Sequence, residues 1–394
     1  VTPVSIAGAP FLDDEAFQRV IAALEQDGDR ARVVGGAVRN TLLGEPVDDV
    51  DIATTARPEV TMVRAAAAGL KPVPTGIDHG TVTVVANGRP FEVTTLRADV
   101  ETDGRHAVVA FTDDWRQDAC RRDFTMNAIY ADADGTLFDP VGGVADARAR
   151  HVRFIGDPAE RIAEDYLRIL RFFRFHARYG EGSPDSAGLA ASVAMKDGLD
   201  RLSRERVGTE VTKLVMARGA VAVLQTMQGA GILSHVLKGE GDVARLGAVI
   251  AGAARHGAEA ALELRLAALA VDHGGLVESL RLSNRQKKRI ESIDLWCETF
   301  ARRMDAITVK EAVYRAGNEV AFDALLLAAA TSRSDAPSDI VELARHFAAP
   351  AFPVTASLLI AEGYLPGPAL GAELRRREAA WIAAGCPASD QKGL

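Results

Sequence analysis

Near Asp157-Pro158 the chain changes its periodicity, and that change limits the folds open to it. Before it, short stretches alternate apolar and polar residues, as half-buried strands do, between turn-forming pairs. Residues 80–86 and 91–97 flank Asn87-Gly88, and residues 128–131 and 137–138 flank Asp134-Gly135, so two hairpins are predicted. Residues 31–34 read as a strand, Gly35-Gly36 as a turn, and 37–43 as a helix closed by Gly44 and Pro46. Residues 50–53 and 108–111 read as further strands. A helix over 13–26 carries Phe17, Val20, Ile21 and Leu24 at helical spacing. After Pro158 the chain is rich in Ala and Leu and reads as helix, broken at glycine- and proline-containing points. The spacing thus predicts a small domain of strands and helices followed by a long helical part. At 394 residues the chain is too long for one compact core.

Several classes are disfavoured at this level. No apolar run approaches a membrane span. The segment VTPVSIAGAPFLDDEAF lacks the basic and long apolar stretches of a signal peptide. Cys120, Cys297 and Cys386 are far apart, form no metal-ligand spacing and fit a reducing cytoplasm. The net charge is -8, so a nucleic-acid partner has to be met by a local basic surface. The most basic run is Asn284-Arg285-Gln286-Lys287-Lys288-Arg289, open to two readings, an RNA-facing segment or a solvated helix end. Asp272-His273 is a lone pair and reads as surface or core.

Four short constellations carry the chemistry. Asp49-Val50-Asp51 places two carboxylates on one face of a strand, with Val50 turned into a core. Adjacent carboxylates repel unless a cation lies between them, and hard oxygen ligands suit Mg²⁺. Glu92, flanked by Phe91 and Val93, is open to two readings, a third carboxylate of that site or an exposed strand residue. Gly35-Gly36 between strand and helix is open to two readings, a structural turn or a place where backbone N–H groups approach a phosphate, with Arg39 adding a cation one turn later. No third glycine follows, which excludes the dinucleotide-binding pattern. Arg121-Arg122-Asp123-Phe124-Thr125-Met126-Asn127-Ala128 is open to two readings, a helix-starting salt bridge or a bidentate phosphate grip by Arg122 with Asp123 and Asn127 reaching sugar hydroxyls or holding Arg122.

Residues 161–175 read as one helix in which Asp165, Arg168, Arg171 and Arg174 step round the axis between aromatic residues. Asp165 with Arg168 fits the edges of cytosine and adenine, which put an amino donor beside ring acceptors. Uracil and guanine put a carbonyl opposite the carboxylate, and each such mismatch costs roughly 1–3 kcal/mol when buried.

Together these segments resemble the class II template-independent nucleotidyltransferases, the CCA-adding enzymes of tRNA and the bacterial poly(A) polymerases. The motif GGxVRD stands here as Gly35-Gly36-Ala37-Val38-Arg39-Asn40, with Asn40 where the family has aspartate. The DxD motif is Asp49-Val50-Asp51, RRDFTxNA is Arg121 to Ala128, and EDxLRxLRxxRF is Glu164 to Phe175. A later S-x-E-R-x-x-x-E pattern is Ser203 to Glu210, and Gly104-Arg105-His106 resembles a loop of the family. The resemblance implies an α+β head of polymerase-β type with a small mixed sheet over 1–155. An all-α neck over 156–240 and a helical body and tail over 241–394 would follow.

It also implies nucleotidyl transfer from CTP or ATP to an RNA 3′-hydroxyl. Asp49 and Asp51 would hold Mg²⁺. Gly35, Gly36, Arg39, Arg122, Asp123 and Asn127 would hold triphosphate and sugar. Asp165 and Arg168 would read the base, with Arg171 and Arg174 as supports. The partner implied is tRNA, bound at its 3′ end and elbow side. No protein partner and no membrane are implied. A poly(A) polymerase favours a long basic tail, so the acidic balance and the ending ASDQKGL favour tRNA. An inactive RNA-binding scaffold would have no use for Asp49, Asp51, Asp165 and Arg168.

Overall fold

The computed structural model describes residues 5–103 and 106–388, and side chains within these ranges except at 99–103 and 106–109. Gly104 and Arg105 lie outside the described residues, and His106 is described only as backbone. The chain divides into two compact units, Val1–Leu202 and Ser203–Leu394.

The first unit is α+β, as the motifs implied. Asp14 begins α1 (Glu15–Leu24) by accepting the N–H groups of Ala16 and Phe17 at 2.8 and 3.2 Å. Then come β1 (Ala31–Val34), α2 (Gly36–Leu43), β2 (Asp51–Thr54), α3 (Pro58–Ala67), β3 (Lys71–Gly76), β4 (Thr81–Ala86) and β5 (Arg89–Thr95). A separate ribbon is formed by β6 (Arg97–Asp103) and β7 (His106–Phe111). The unit continues with α4 (Trp115–Cys120), β8 (Tyr130–Ala131), β9 (Leu137–Phe138), α5 (Gly143–Arg148), α6 (Pro158–Glu164), α7 (Leu167–Tyr179) and α8 (Ser186–Ala194).

Its main sheet runs β3-β4-β5-β2-β1-β8-β9 and is mixed, because β2 and β5 are parallel while the other pairs are antiparallel. Asn87 and Gly88 take positive φ of 50° and 77°, the turn that fits the twist of β4 and β5. Val82, Val84, Phe91 and Val93 are buried, and Phe91 meets Phe17 of α1 at 6.4 Å between ring centres. Side chains alternate along a strand, so Glu92 projects from the opposite face. Strand β3, with Pro72 and Pro74, carries no clean alternation. It lies at the sheet edge, where a residue without an N–H is tolerated.

Residues 161–175 are not one helix. α6 ends at Glu164, and Asp165 is extended at φ -157° and ψ 107°. Its carboxylate and carbonyl accept the N–H groups of Leu167 and Arg168 at 3.1 and 3.0 Å, starting α7. A short acceptor side chain competes with the helix for backbone donors, which is why the break falls at an aspartate. The unit boundary falls at 202, later than the change of texture at 158, for a packing reason. Phe175 and Phe154 each lie 5.0 Å from Phe124, and Phe172 lies 5.4 Å from Phe154, so α7 belongs to the core of the first unit.

The second unit is helical: α9 (Arg204–Val215), α10 (Ala220–Gly229), α11 (Leu233–Leu237), α12 (Val243–Arg255), α13 (Leu262–Leu269), α14 (His273–Ser279), α15 (Asn284–Arg302), α16 (Ala306–Ala316), α17 (Asn318–Ser332), α18 (Ser338–His346), α19 (Ala356–Ala361) and α20 (Pro368–Ala383). α15 packs along α17, whose residues 320–329 are buried. Gly208 in α9 lies against the backbone of Leu280, where an added Cβ would stand 2.0 Å from the carbonyl oxygen. Gly208→Ala is therefore expected to lower the unfolding free energy by about 2 kcal/mol, read as a lower urea midpoint at unchanged slope.

The carbonyls ending α13 are capped by two cations. Arg245 donates to Ala268 and Ala270 at 2.8 and 2.6 Å, and His273 Nε2 donates to Ala267 and Ala270 at 2.8 and 3.0 Å. His273 Nδ1 faces Asp294 at 2.5 Å. Burial lowers the His273 pKa, but the Asp294 carboxylate and the carbonyls want both nitrogens protonated and raise it overall. Asp272-His273 is thus structural. The charged imidazole contributes stability in full below about pH 6.5, the unfolded value, and loses it as pH rises through the higher folded value. His273→Gln is expected to remove that portion of the pH dependence of the urea midpoint.

Candidate active site

The turn between β1 and α2 begins the site. Gly35 holds φ 69° and ψ -113°, a conformation that L side chains avoid, and donates its N–H to Ile129 O at 3.2 Å. A Cβ placed there would stand 3.5 Å from Asn127 O and 3.8 Å from Arg122 Nη1, so the turn abuts the Arg121–Ala128 segment. Gly36 opens α2.

Beside this turn, β2 carries Asp51 in register with Glu92 of the parallel β5. Asp49 precedes the strand rather than lying in it. The alternation still holds, because Val50 is buried while Asp49 and Asp51 are exposed. The Asp51 carboxyl is pushed up to about 6 by the desolvation of its surroundings, then by the charges of Glu92 and Asp49, against the pull of Arg122. Crowded carboxylates of this kind gain from a divalent cation, and their hard oxygens suit Mg²⁺. Among the described residues no three His, Cys, Asp or Glu side chains converge as a complete ligand set. Glu92 acts on Asp51 through its charge.

Arg122 faces these carboxylates. It is held from behind by Asp118, a residue the sequence reading missed, and not by Asp123 or Asn127. Arg122 Nη2 donates to Asp118 at 3.0 Å, and its Nε donates to Asp118 and to Tyr130 Oη at 3.3 Å each. Among the described residues Nη1 makes no hydrogen bond. The i to i+4 spacing on a helix was the available signal for Asp118.

Asp123 and Asn127 instead form a buried web with arginines. Asp123 accepts Arg171 Nε and Nη2 at 2.8 and 2.5 Å and Asn127 Nδ2 at 2.9 Å. Burial raises the Asp123 carboxyl, but Arg171 and these donors hold it below the usual carboxylate range. Asn127 Oδ1 accepts Arg39 Nη1. Arg39 Nη2 also donates to Tyr179 Oη and Asn40 Oδ1, each at 2.9 Å, and the guanidinium lies 4.2 Å from the Tyr179 ring centre. Arg39 is thus a buried tie between α2, α7 and the Arg121–Ala128 segment, and its placement corrects the expectation of a free phosphate grip. Asn40 takes over the orienting task of an aspartate.

At the start of α7, Arg168 is not paired with Asp165. Its Nη1 donates to Glu164 and, at 2.7 Å, to Arg161 O. Arg161 donates through Nη2 to the carbonyls of Arg121 and Arg122 at 2.5 and 3.1 Å, fastening this turn to the Arg121–Ala128 segment. Among the described residues Arg168 Nε and Nη2 make no hydrogen bond, so the guanidinium offers two parallel donors along one edge. Arg174 is half-buried and lies 4.5 Å from the Phe175 ring centre, and Arg171 lies 5.5 Å from it. In the second unit, Arg289 donates to Glu319 and Asp323 at 2.7 and 2.8 Å, while Arg285, Lys287 and Lys288 are exposed. The basic run therefore offers three cations outward, not four.

Comparison with known proteins identifies relatives of the chain as a whole. Residues 31–153 match the family described as Poly A polymerase head domain, and residues 185–240 match the probable RNA and SrmB-binding site of polymerase A. The CCA tRNA nucleotidyltransferase 1 of Danio rerio mitochondria is 44% identical over 218 residues, 54% of this chain and 50% of that protein. A CCA-adding enzyme of Geobacillus stearothermophilus is 40% identical over 220 residues, 55% of this chain and 53% of that protein. By these matches the chain spans about half the length of the curated relatives. The crystal structure of the Bacillus stearothermophilus CCA-adding enzyme in complex with CTP superposes with a TM-score of 0.75 at 30% identity, covering 94% of each chain. With the head-domain match and this likeness along nearly its whole length, the chain belongs to the CCA-adding enzyme family of nucleotidyltransferases.

Proposed function

We propose that this chain adds C, C and A, taken from CTP and ATP, to the 3′ end of tRNA, releasing pyrophosphate. The observation that carries it is Asp51, crowded by Asp49 and Glu92 and faced by Arg122 beside the Gly35 turn. Asp49 and Asp51 are the residues that would hold Mg²⁺. A bound divalent ion would supply a more acidic 3′-hydroxyl and charge neutralisation on the triphosphate. Arg122 Nη1 and the Gly36 N–H grip phosphate oxygens, with Gly35 shaping the turn. Asp123, Asn127, Arg39 and Arg171 keep that segment in place, and Arg174 supports α7. Catalysis by these residues is placement and charge compensation.

The base is read at the start of α7. Arg168 donates through Nε and Nη2 to the acceptors of cytosine or adenine, and Asp165 accepts their amino group. Head, neck, and body with tail, over 1–155, 156–240 and 241–394, are then a division by role rather than by compactness. Arg285, Lys287 and Lys288 meet tRNA backbone phosphates. A cytoplasmic setting fits a tRNA substrate, and among the described residues no helix is long and apolar enough to cross a membrane.

Purified protein given a tRNA ending at the discriminator base, with each labelled nucleoside triphosphate separately and together, is expected to add C, C and A and stop. A long A tract would select the poly(A) polymerase instead. No incorporation of any nucleotide would refute nucleotidyl transfer.

A further inference from the structure

Asp118 lies outside every motif that marks the family in this sequence, yet more of the site hangs on it than on any other carboxylate described. It is 1% exposed. Its Oδ1 accepts Arg121 Nε and Nη2 at 2.8 and 2.6 Å and the Arg97 N–H at 3.2 Å. Its Oδ2 accepts Arg122 Nη2 and Nε at 3.0 and 3.3 Å and the Tyr130 hydroxyl at 2.7 Å. Tyr130 is itself fully buried and accepts from Arg122 Nε at 3.3 Å. Two faces of the Arg122 fork are thereby fixed, and among the described residues Nη1 alone of its nitrogens makes no hydrogen bond and lies beside the Gly35 turn. A guanidinium on a flexible stem has many rotamers, and losing them costs less at binding when the fork is already set.

We propose that Asp118, with Tyr130, is a positioning residue for nucleotide binding that presets Arg122 so that Nη1 alone meets the triphosphate. The proposal rests on the phosphate-gripping role of Arg122 given above. Asp118 also fixes the first residue of β6, so the root of the β6–β7 ribbon and the Arg122 fork share one anchor. The carboxyl is built to stay ionised. Burial alone would raise its pKa, but Arg122, Arg121 and Tyr130 bring it to about 2.

The test is Asp118→Asn, of equal shape, beside Arg122→Ala, the double variant and Tyr130→Phe. CTP affinity is measured by calorimetry, KM and kcat by incorporation, and folding by thermal melting. Loss of a charged buried hydrogen bond corresponds to about a tenfold change or more. Asp118→Asn is expected to raise Kd and KM for CTP about tenfold with a smaller change in kcat. In the double variant, KM should match Arg122→Ala alone, because Asp118 acts only through that fork. Tyr130→Phe, which keeps the carboxylate, should raise KM about threefold and serves if Asp118→Asn fails to fold. Effects of Asp118→Asn and Arg122→Ala that simply add, or a lowered melting temperature with unchanged KM, would overturn the proposal. Should Arg122→Ala leave CTP affinity unchanged, the phosphate grip itself is wrong. An inactive native chain that still binds CTP would count against nucleotidyl transfer alone.

Discussion

Asp51→Asn is expected to abolish nucleotide incorporation while leaving the protein at least as stable as before. The two effects have one cause. In the folded chain the Asp51 carboxyl sits near 6, because desolvation and the neighbouring charges of Glu92 and Asp49 oppose its ionisation. Above that pH its charge is a local strain at the site, partly screened by solvent because Asp51 is exposed. The amide relieves the strain and removes the oxygen charge that would hold Mg²⁺. Incorporation should fall by about three orders of magnitude, the scale seen when transition-state charge loses a fixed partner. The melting temperature should stay level or rise, a stability gained at the cost of function. Asp51→Ala should behave likewise in turnover and keep tRNA binding in a filter assay. Appreciable turnover by either variant removes Asp51 from the reaction.

Arg168→Ala is expected to loosen the choice of CTP over UTP by about tenfold or more. In the proposed reading the wild-type fork presents Nε–H and Nη2–H to ring acceptors, whereas uracil offers a ring N–H there and leaves two donors opposed. Glu164 holds the fork in place, so a second variant separates reading from structure. Arg168→Lys keeps a cation for Glu164 but has no planar pair of donors. It should match Arg168→Ala in selectivity while retaining wild-type stability. Selectivity that survives in both would take Arg168 out of base recognition.

Much of the site was legible because its chemistry is local in sequence. Asp49, Val50 and Asp51 show their alternation without any tertiary contact, and Gly35 needs a positive φ wherever the rest of the chain lies. The hairpin at Asn87-Gly88 is legible for the same reason. What could not be read is who satisfies whom. Asp123 looked like a sugar ligand or a brace for Arg122, but it is spent on Arg171, forty-eight residues later. Arg39 looked like a phosphate cation, but Asn127 and Tyr179 enclose it. Asp118 carried no motif, and its hold on Arg97 crosses to another element. Buried donors must find acceptors, and the available acceptor is set by packing, not by spacing.

The run from α1 through β1 and α2 to β2, the β4–β5 hairpin, the helical character of the second unit and the acidic pair at 49 and 51 were already legible in the amino-acid order, whereas α3, β3 and β6 were not. Backbone preference and periodicity act over a few residues and need no partner. The capture of α7 by Phe124 and Phe154 and the pairing of Asp123 with Arg171 were decided only when distant segments packed. The physical reason is that a guanidinium or a carboxylate has several equally good local conformations. Only the desolvated surroundings of the folded chain make one of them cheaper than the rest.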